Sequence, residues 1–300
     1  MSEPVKAPEG FHKILNAHGY GFQFSVLGRA EQLFYERKSP WKFEAAEFPV
    51  SVHSEETKID FLLKRDRTVT FLVAECKNVN PSLGRWFFVK APYTHRNANK
   101  YSLFFESLDA SPLHGITARS EGRLYNLSSS IYRSTSTELF HIGMEAKDQT
   151  QQGNKQGSMR GGLESAIGQV LRGTNGMVEY LANHQQILRT GFLSAKPTNP
   201  DTAFSTWFIP AIFTTAKLWV SDVNLSSADL TTGDFSPSSI TSSERRWLWL
   251  NYNQSQGLRH SVNGKDHDLD LAGVMDADFT RSVAIINESG MEDFLTHSEI

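Results

Sequence analysis

Three charged side chains lie at the ends of two neighbouring apolar stretches. Their types and spacing are suitable for a chemical role. Asp60 is near the start of the stretch IDFLL, and Glu75 and Lys77 end the stretch TVTFLVAECK. Successive side chains of a strand alternate between faces, so Glu75 and Lys77 would point to the same side. If the two stretches pair as an antiparallel hairpin, the start of the first meets the end of the second, and Asp60 then lies close to Glu75.

Two carboxylates and one ammonium group in an apolar setting favour a cation site. Charges buried only for the sake of folding would cost desolvation energy, and a divalent cation removes that conflict. Mg²⁺ prefers one or two carboxylates together with waters and substrate phosphate, so Asp60 and Glu75 are candidate ligands of Mg²⁺ or Mn²⁺. Lys77 is a candidate to orient or deprotonate an attacking water, or to neutralise charge growing on a phosphate. A plainer alternative is a solvated ion pair at the rim, which would contribute little.

The segments around these residues predict the elements that must position them. Apolar residues recur at helical spacing over 21–34, and Ser39-Pro40 ends this predicted helix. The next segments are short and rich in β-branched or aromatic residues, and they predict a three-stranded meander: 42–52, 57–63 and 68–77.

The middle of the chain is less regular. Segments 85–90 and 100–108 fit either strands or pieces of helix, and 147–162 has the composition of a mobile loop. A second helix is predicted from 163 to about 188. The run 206–222 is too apolar for a sheet with one wet face, which predicts one long or two adjoining central strands.

The last third predicts an exposed Ser/Thr-rich connection over 224–243 and a strand over 246–252. A strand followed by a helical end is predicted over 281–295. The apolar 206–222 segment and the C-terminal part are also candidates for an interface in a homo-oligomer.

A resemblance emerges from the motif and the element order together. Asp60, fourteen intervening residues and then Glu75-Cys76-Lys77 resemble the D…ExK signature of the PD-(D/E)XK nuclease superfamily. The order of one helix, three strands, a later helix and a further strand is similar to the αβββαβ core of that superfamily.

The resemblance implies an α/β fold of the restriction-endonuclease-like type, with a mixed central sheet flanked by helices. The implied single domain has its core at 20–80 and 162–222, an insertion at 81–161 and a C-terminal extension at 223–300.

The resemblance also implies roles for individual residues. Asp60, Glu75 and Lys77 match the metal and catalytic positions. Many relatives carry a Glu on the first helix, and here Gln23 is closest to that place, with Glu31 two turns later.

Relatives often place a Gln or Lys on the helix after the catalytic hairpin, where it positions water or phosphate. Gln169 resembles that residue, although a polar helix residue is also commonly a solvated one. Tyr180 is eleven residues further on and would lie about three turns along the same face.

The implied function is metal-dependent hydrolysis of phosphodiester bonds in nucleic acid, with DNA expected ahead of RNA. Similar nucleases act in restriction or antiviral defence against phage DNA, and a helicase or sensor protein often serves as their partner. The alternative is a catalytically inactive nuclease-fold subunit for nucleic-acid binding or complex assembly, and the amide at Gln23 favours that alternative.

A stretch after the hairpin mixes aromatic and basic residues, a composition compatible with stacking on bases and gripping phosphates. Its candidate nucleic-acid-binding residues are Arg85, Lys90, Arg96 and Lys100. The alternative is an amphipathic strand whose basic side chains reach out to water.

Other charged residues lie near the meander. Glu47 and Glu56 are close enough to join the metal site, but charged strand residues usually face water, so both are interpreted as residues of the wet face. The acidic run 265–270 lacks the Gly and distal Glu of an EF-hand and is interpreted as a solvated loop.

Composition limits the remaining function classes. The 30 Lys and Arg against 33 Asp and Glu give a net charge of −3, which argues against a nonspecific nucleic-acid coat. One cysteine excludes an internal disulfide and fits a reducing compartment. Histidines lack zinc-site spacing, and neither a GxSxG elbow nor a Walker A loop occurs. With no apolar leader or membrane span in the sequence, a soluble cytoplasmic protein is expected.

Overall fold

The computed structural model describes twelve segments of the chain, and all structural statements refer to them: 10–11, 19–65, 70–80, 84–90, 102–111, 115–119, 125–126, 139–145, 162–184, 204–223, 227–255 and 279–297. The predicted loop at 147–162, apart from its last residue, and the run 265–270 lie outside these segments.

The described residues form three α-helices and fifteen β-strands. The α-helices are α1 Tyr20–Tyr35, α2 Gly162–Asn183 and α3 Met291–His297. The strands are β1 Trp41–Val52, β2 Glu55–Arg65, β3 Thr70–Lys77, β4 Arg85–Val89, β5 Ser102–Leu103, β6 Glu106–Ser111, β7 Gly115–Arg119, β8 Tyr125–Asn126, β9 Leu139–Phe140, β10 Ile142–Glu145, β11 Phe204–Thr214, β12 Lys217–Val223, β13 Ile240–Arg245, β14 Trp247–Asn253 and β15 Thr280–Asn287.

The predicted first helix and meander are confirmed as α1 and β1 to β3. Strands β1, β2 and β3 pair antiparallel in sequence order. In the β2–β3 ladder Phe61 lies opposite Ala74. Asp60 and Glu75 are the next residues on the two strands, and the Asp60 side chain accepts a hydrogen bond from the Cys76 N–H, so the two carboxylates lie near each other, as the hairpin geometry predicts.

A mixed nine-stranded sheet forms the centre of the protein. Its main path is β1-β2-β3-β11-β15-β14-β9, and β6 extends it by pairing with the first half of β11 and with β7. Strands β3, β11 and β15 run parallel, whereas the β1–β2–β3 and β14–β15 pairs are antiparallel. The protein is therefore α/β with a mixed central sheet, as predicted.

Helices cover both faces of this sheet, and each face has its own hydrophobic core. On one face α2 packs Val170, Leu171 and Met177 into a cluster with Val73 and Phe208. On the other face α1 and α3 share a second cluster, with members that include Val26, Leu33, Leu72, Phe213 and Phe294. Because strand side chains alternate, these two clusters account for the nearly continuous apolar runs of β3 and β11.

The apolar 206–222 run is two strands in two different sheets. Strand β11 ends at Thr214, and the chain turns through Thr215 and Ala216, where the Thr214 hydroxyl accepts a hydrogen bond of 3.1 Å from the Ala216 N–H. Strand β12 then joins a second sheet of order β10-β4-β12-β13. The prediction of two adjoining strands is confirmed, but the central position predicted for the second is wrong.

Most of the remaining secondary-structure predictions are confirmed, and one is partly wrong. Segment 85–90 is a strand, and 100–108 includes β5 and the start of β6 rather than helix. The exposed connection predicted over 224–243 contains the start of β13 and is wrong there, although every residue of that strand is exposed. The second helix, the strand near 246–252 and the strand with a helical end near 281–295 are confirmed as α2, β14, β15 and α3.

Segments that the sequence analysis places outside the core also contribute strands to the central sheet. Strands β6, β7 and β9 from 81–161 and strands β14 and β15 after 223 all belong to the central sheet. None of the described helices has the length and apolar character needed to cross a bilayer.

Candidate metal and catalytic site

The charged end of β3 lies beside the end of a parallel strand. Glu75 pairs with Ile212 of β11, and Lys77 pairs with Thr214. Ligands of open α/β sheets bind characteristically outside the carboxyl ends of parallel strands. This edge of the sheet is therefore a natural place for a site.

Asp60 is held against β3 by a backbone hydrogen bond. Its Oδ2 accepts from the Cys76 N–H at 2.7 Å, which fixes the carboxylate across the hairpin. Burial raises the pKa of Asp60, the Cys76 N–H opposes that rise, and the nearby charges of Glu47 and Lys77 act in opposite directions. Asp60 is thus a half-buried carboxylate among other charges.

Glu75 is the most strongly perturbed carboxylate of the cluster. Its side chain is 7% exposed, and it makes no hydrogen bond or ion pair with any other described residue. The pKa of Glu75 is raised to about 8. Burial is the largest cause, the charges of Asp60 and Glu47 act in the same direction, and the charge of Lys77 opposes them. A largely buried carboxylate without a donor is costly, so this position favours a protonated acid or a bound cation.

Lys77 and Gln169 meet between β3 and α2. The Lys77 Nζ donates to the Gln169 Oε1 over a long contact of 3.5 Å. Helix α2 can lie this close to the sheet because Gly173, one turn beyond Gln169, lacks a side chain: a Cβ there would come within 3.0 Å of Ile59. Four residues that are remote in sequence, Asp60, Glu75, Lys77 and Gln169, are therefore brought together.

Gln23 reaches the cluster from α1 as a hydrogen-bond donor. Its Nε2 donates to the Glu47 Oε1 and to the backbone carbonyl of Asp60, both at 3.0 Å. The side chain is buried, with 5% exposed. The helix position that would carry an acid by resemblance is thus occupied by an amide that holds two strands together.

Glu47 is a residue that the sequence analysis considered for the site and assigned to the wet face. Ala46 pairs with Phe61 and Phe48 with Ile59, so Glu47 lies opposite Asp60 in the ladder. The interpretation of Glu47 as a wet-face residue is wrong: its side chain is half-buried and hydrogen-bonded to Gln23. Its left-handed φ of 49° costs about 1–2 kcal/mol in a residue with a Cβ.

Two residues considered with the site lie apart from it. Glu31 follows Gln23 by about 12 Å along the helix axis and makes none of the cluster's hydrogen bonds. Tyr180 packs edge-on against Phe48, stacks on His184 and lines a cleft of about 580 Å³ near the β1–β2 turn. Glu56, another residue of this cleft, is exposed as expected.

The predicted basic residues are only partly described. Arg85 is exposed at the start of β4 and pairs with Lys217 of β12, and Lys90 is half-buried just after β4. Arg96 and Lys100 lie outside the described residues. The second sheet connects to the site through Thr215, whose N–H donates to the Lys77 carbonyl at 3.3 Å.

The donor set fits a hard divalent cation. Asp60 and Glu75 supply carboxylate oxygens, and the buried Glu75 carboxylate lacks a donor. Across the described segments, no three His, Cys, Asp or Glu side chains form a ready-made metal cage. Mg²⁺ is commonly bound by only one or two carboxylates, with waters and substrate oxygens completing its shell.

Comparison of the chain with protein-family models, with curated proteins and with solved structures finds no match. The function of the chain is therefore inferred from the geometry and chemistry of Asp60, Glu75, Lys77 and Gln169.

Proposed function

We propose that this chain is a metal-dependent nuclease that hydrolyses phosphodiester bonds of nucleic acid, with DNA as the expected substrate. The observation that carries the proposal is the convergence of Asp60, the donor-free Glu75 and Lys77 at the carboxyl end of a buried parallel strand, with Gln169 beside them. This combination suits a phosphate-bound divalent cation better than it suits a purely structural ion pair.

Each residue has a role that its position supports. Asp60 and Glu75 would hold Mg²⁺ or Mn²⁺. When bound, the ion would stabilise the negative charge of the phosphoryl group and favour ionisation of the attacking water. Lys77 would orient that water or offset charge growing on the phosphate, and Gln169 would position the Lys77 ammonium group.

The arrangement of elements supports the same proposal. Along the chain α1, β1, β2, β3, α2 and β11 occur in the αβββαβ order, and β11 pairs parallel to β3. We therefore propose a restriction-endonuclease-like core to which the other strands of the central sheet are added. A helicase or sensor protein as partner, a homo-oligomer, and a role in restriction or phage defence in the cytoplasm are further proposals that this likeness suggests.

A second candidate is a nuclease-fold subunit that binds nucleic acid without cutting it. The amide at Gln23, where the resemblance implies an acid, favours this candidate. Titration with Mn²⁺ separates the two, because a catalytic chain should bind the ion and lose that affinity in Asp60→Asn.

The proposal is tested by a cleavage panel of single- and double-stranded DNA and RNA with Mg²⁺, Mn²⁺ or chelator. Wild type should cut DNA only with a metal, and Glu75→Ala and Lys77→Ala should not cut while keeping the wild-type circular dichroism spectrum. Glu44→Gln, at an exposed position of β1, is the matched control and should cut normally. Retained cutting by both site variants would refute the assignment.

Partner dependence is tested in the same panel. The chain alone should cut slowly if a helicase or sensor delivers its target. Rapid cutting by the purified chain would exclude that requirement.

A further inference from the structure

We propose that Glu47 is the third acidic residue of the cation site and that Gln23 is the positioning residue that keeps it there. This inference rests on the proposed metal-dependent function. It places the acid on strand β1 rather than on helix α1, where the family resemblance puts it.

The first observation is the position of Glu47 in the ladder. Glu47 lies between Ala46 and Phe48, which pair with Phe61 and Ile59 on either side of Asp60, and the β2–β3 pairing ends at Phe61 and Ala74, next to Asp60 and Glu75, so the three carboxylates lie on the adjacent strands β1, β2 and β3. The charge of Glu47 acts on both of the other carboxyl groups. Glu47 is therefore within electrostatic reach of both candidate ligands.

The second observation is the direction of the hydrogen bonds from Gln23. One buried amide nitrogen donates to the Glu47 carboxylate and to the Asp60 carbonyl. A Glu at this position would set its own carboxylate against two acceptors with no donor between them, which is strongly unfavourable in a buried site. Gln23 is explained by this need for a donor, and the acid is supplied by Glu47 instead.

The third observation is the environment of Glu75. This residue is 7% exposed, and no described residue donates a hydrogen bond to its carboxylate. In their ionised forms Glu47, Asp60 and Glu75 carry three negative charges against the single positive charge of Lys77. The surplus of two charges equals the charge of one divalent cation.

The role of Glu47 follows from the spacing of the carboxylates. Since no three acidic side chains among the described residues form a ready cage, Glu47 is assigned to accept hydrogen bonds from waters carried by the ion. Residues in this outer position typically change metal affinity by about 10- to 100-fold when they are replaced.

The test is calorimetric titration of the full chain with Mn²⁺ in the absence of nucleic acid. Glu47→Gln should weaken Mn²⁺ binding about tenfold, whereas the exposed control Glu44→Gln should bind like wild type. Asp60→Asn should lose more affinity than Glu47→Gln. Gln23→Leu should weaken binding in the wild-type background but not in the Glu47→Gln background, because it acts through Glu47.

Thermal unfolding distinguishes a cation role from a merely structural one. In chelator Glu47→Gln should raise Tm, since it removes a negative charge beside Asp60 and its amide oxygen can still accept from Gln23. In saturating Mn²⁺ the order should reverse, with wild type the more stable. A lower Tm for Glu47→Gln in both conditions would overturn the proposal.

The role of Glu47 and the proposed metal-dependent function can be refuted separately. If Asp60→Asn loses Mn²⁺ binding while Glu47→Gln keeps wild-type affinity, the role of Glu47 is refuted and the metal-dependent function stands. If wild type does not bind Mn²⁺ at millimolar concentration, the proposed function fails together with this inference.

Discussion

Replacing Glu75 by Gln should make the protein more stable at high pH and leave its stability nearly unchanged near pH 4. Burial and the charge of Asp60 raise the pKa of Glu75 from 4.5 to about 8. Between these values the folded chain retains a proton that the unfolded chain has lost, so the free energy of unfolding falls as the pH rises. At about 1.4 kcal/mol per pH unit, the loss amounts to at most about 5 kcal/mol and is complete above about pH 8.

The assay is urea unfolding, followed by tryptophan fluorescence in chelator at pH 4, 7 and 8.5. Glu75→Gln should match wild type at pH 4, because the amide resembles the neutral acid, and should exceed it by a few kcal/mol at pH 8.5. The control Glu44→Gln should follow the wild-type curve. Equal pH slopes for wild type and Glu75→Gln would show that Glu75 ionises normally and would refute the reasoning.

Three further predictions concern the lysine and helix α2. Lys77→Ala should slow single-turnover cleavage at least about 100-fold, because it removes a charged group at the reacting phosphate; a rate near that of wild type would exclude this role. Gln169→Ala should slow cleavage only about tenfold and leave Mn²⁺ affinity unchanged, since it acts through Lys77; a larger loss than in Lys77→Ala would contradict this order. Gly176→Ala should destabilise the fold by about 1–3 kcal/mol in urea unfolding, because a Cβ there would approach Val50 to 2.7 Å. A Cβ at Gly168 meets nothing within 4 Å, so the control Gly168→Ala should be neutral or stabilising. Equal stabilities of the two alanine variants would refute this account of the packing.

The meander could be predicted because local signals and tertiary structure agree there. Alternating and β-branched residues specify β2 and β3, and hairpin geometry then requires Asp60 to approach Glu75. Gln169 could be anticipated only through the family resemblance, since its contact with Lys77 depends on how closely α2 packs on the sheet.

Glu47 and the second sheet were beyond the reach of simple periodicity. The register of β1 shifts between Phe43 and Ala45, and Glu47 adopts a left-handed φ, so alternation does not predict which way its side chain points. The assignment of β12 to another sheet depends on the corner at Thr215 and Ala216 and on pairing with β4, a partner more than a hundred residues away. Neither feature leaves a local hydrophobic pattern.

Metal-dependent chemistry at Asp60 is tested by DNA cleavage with purified wild type and Asp60→Asn in matched reactions containing Mn²⁺, Mg²⁺ or chelator. Wild type should cut only when metal is present, and Asp60→Asn should not cut under any condition. Cutting in chelator, or equal rates for the two proteins with metal, would show that Asp60 does not hold a catalytic ion.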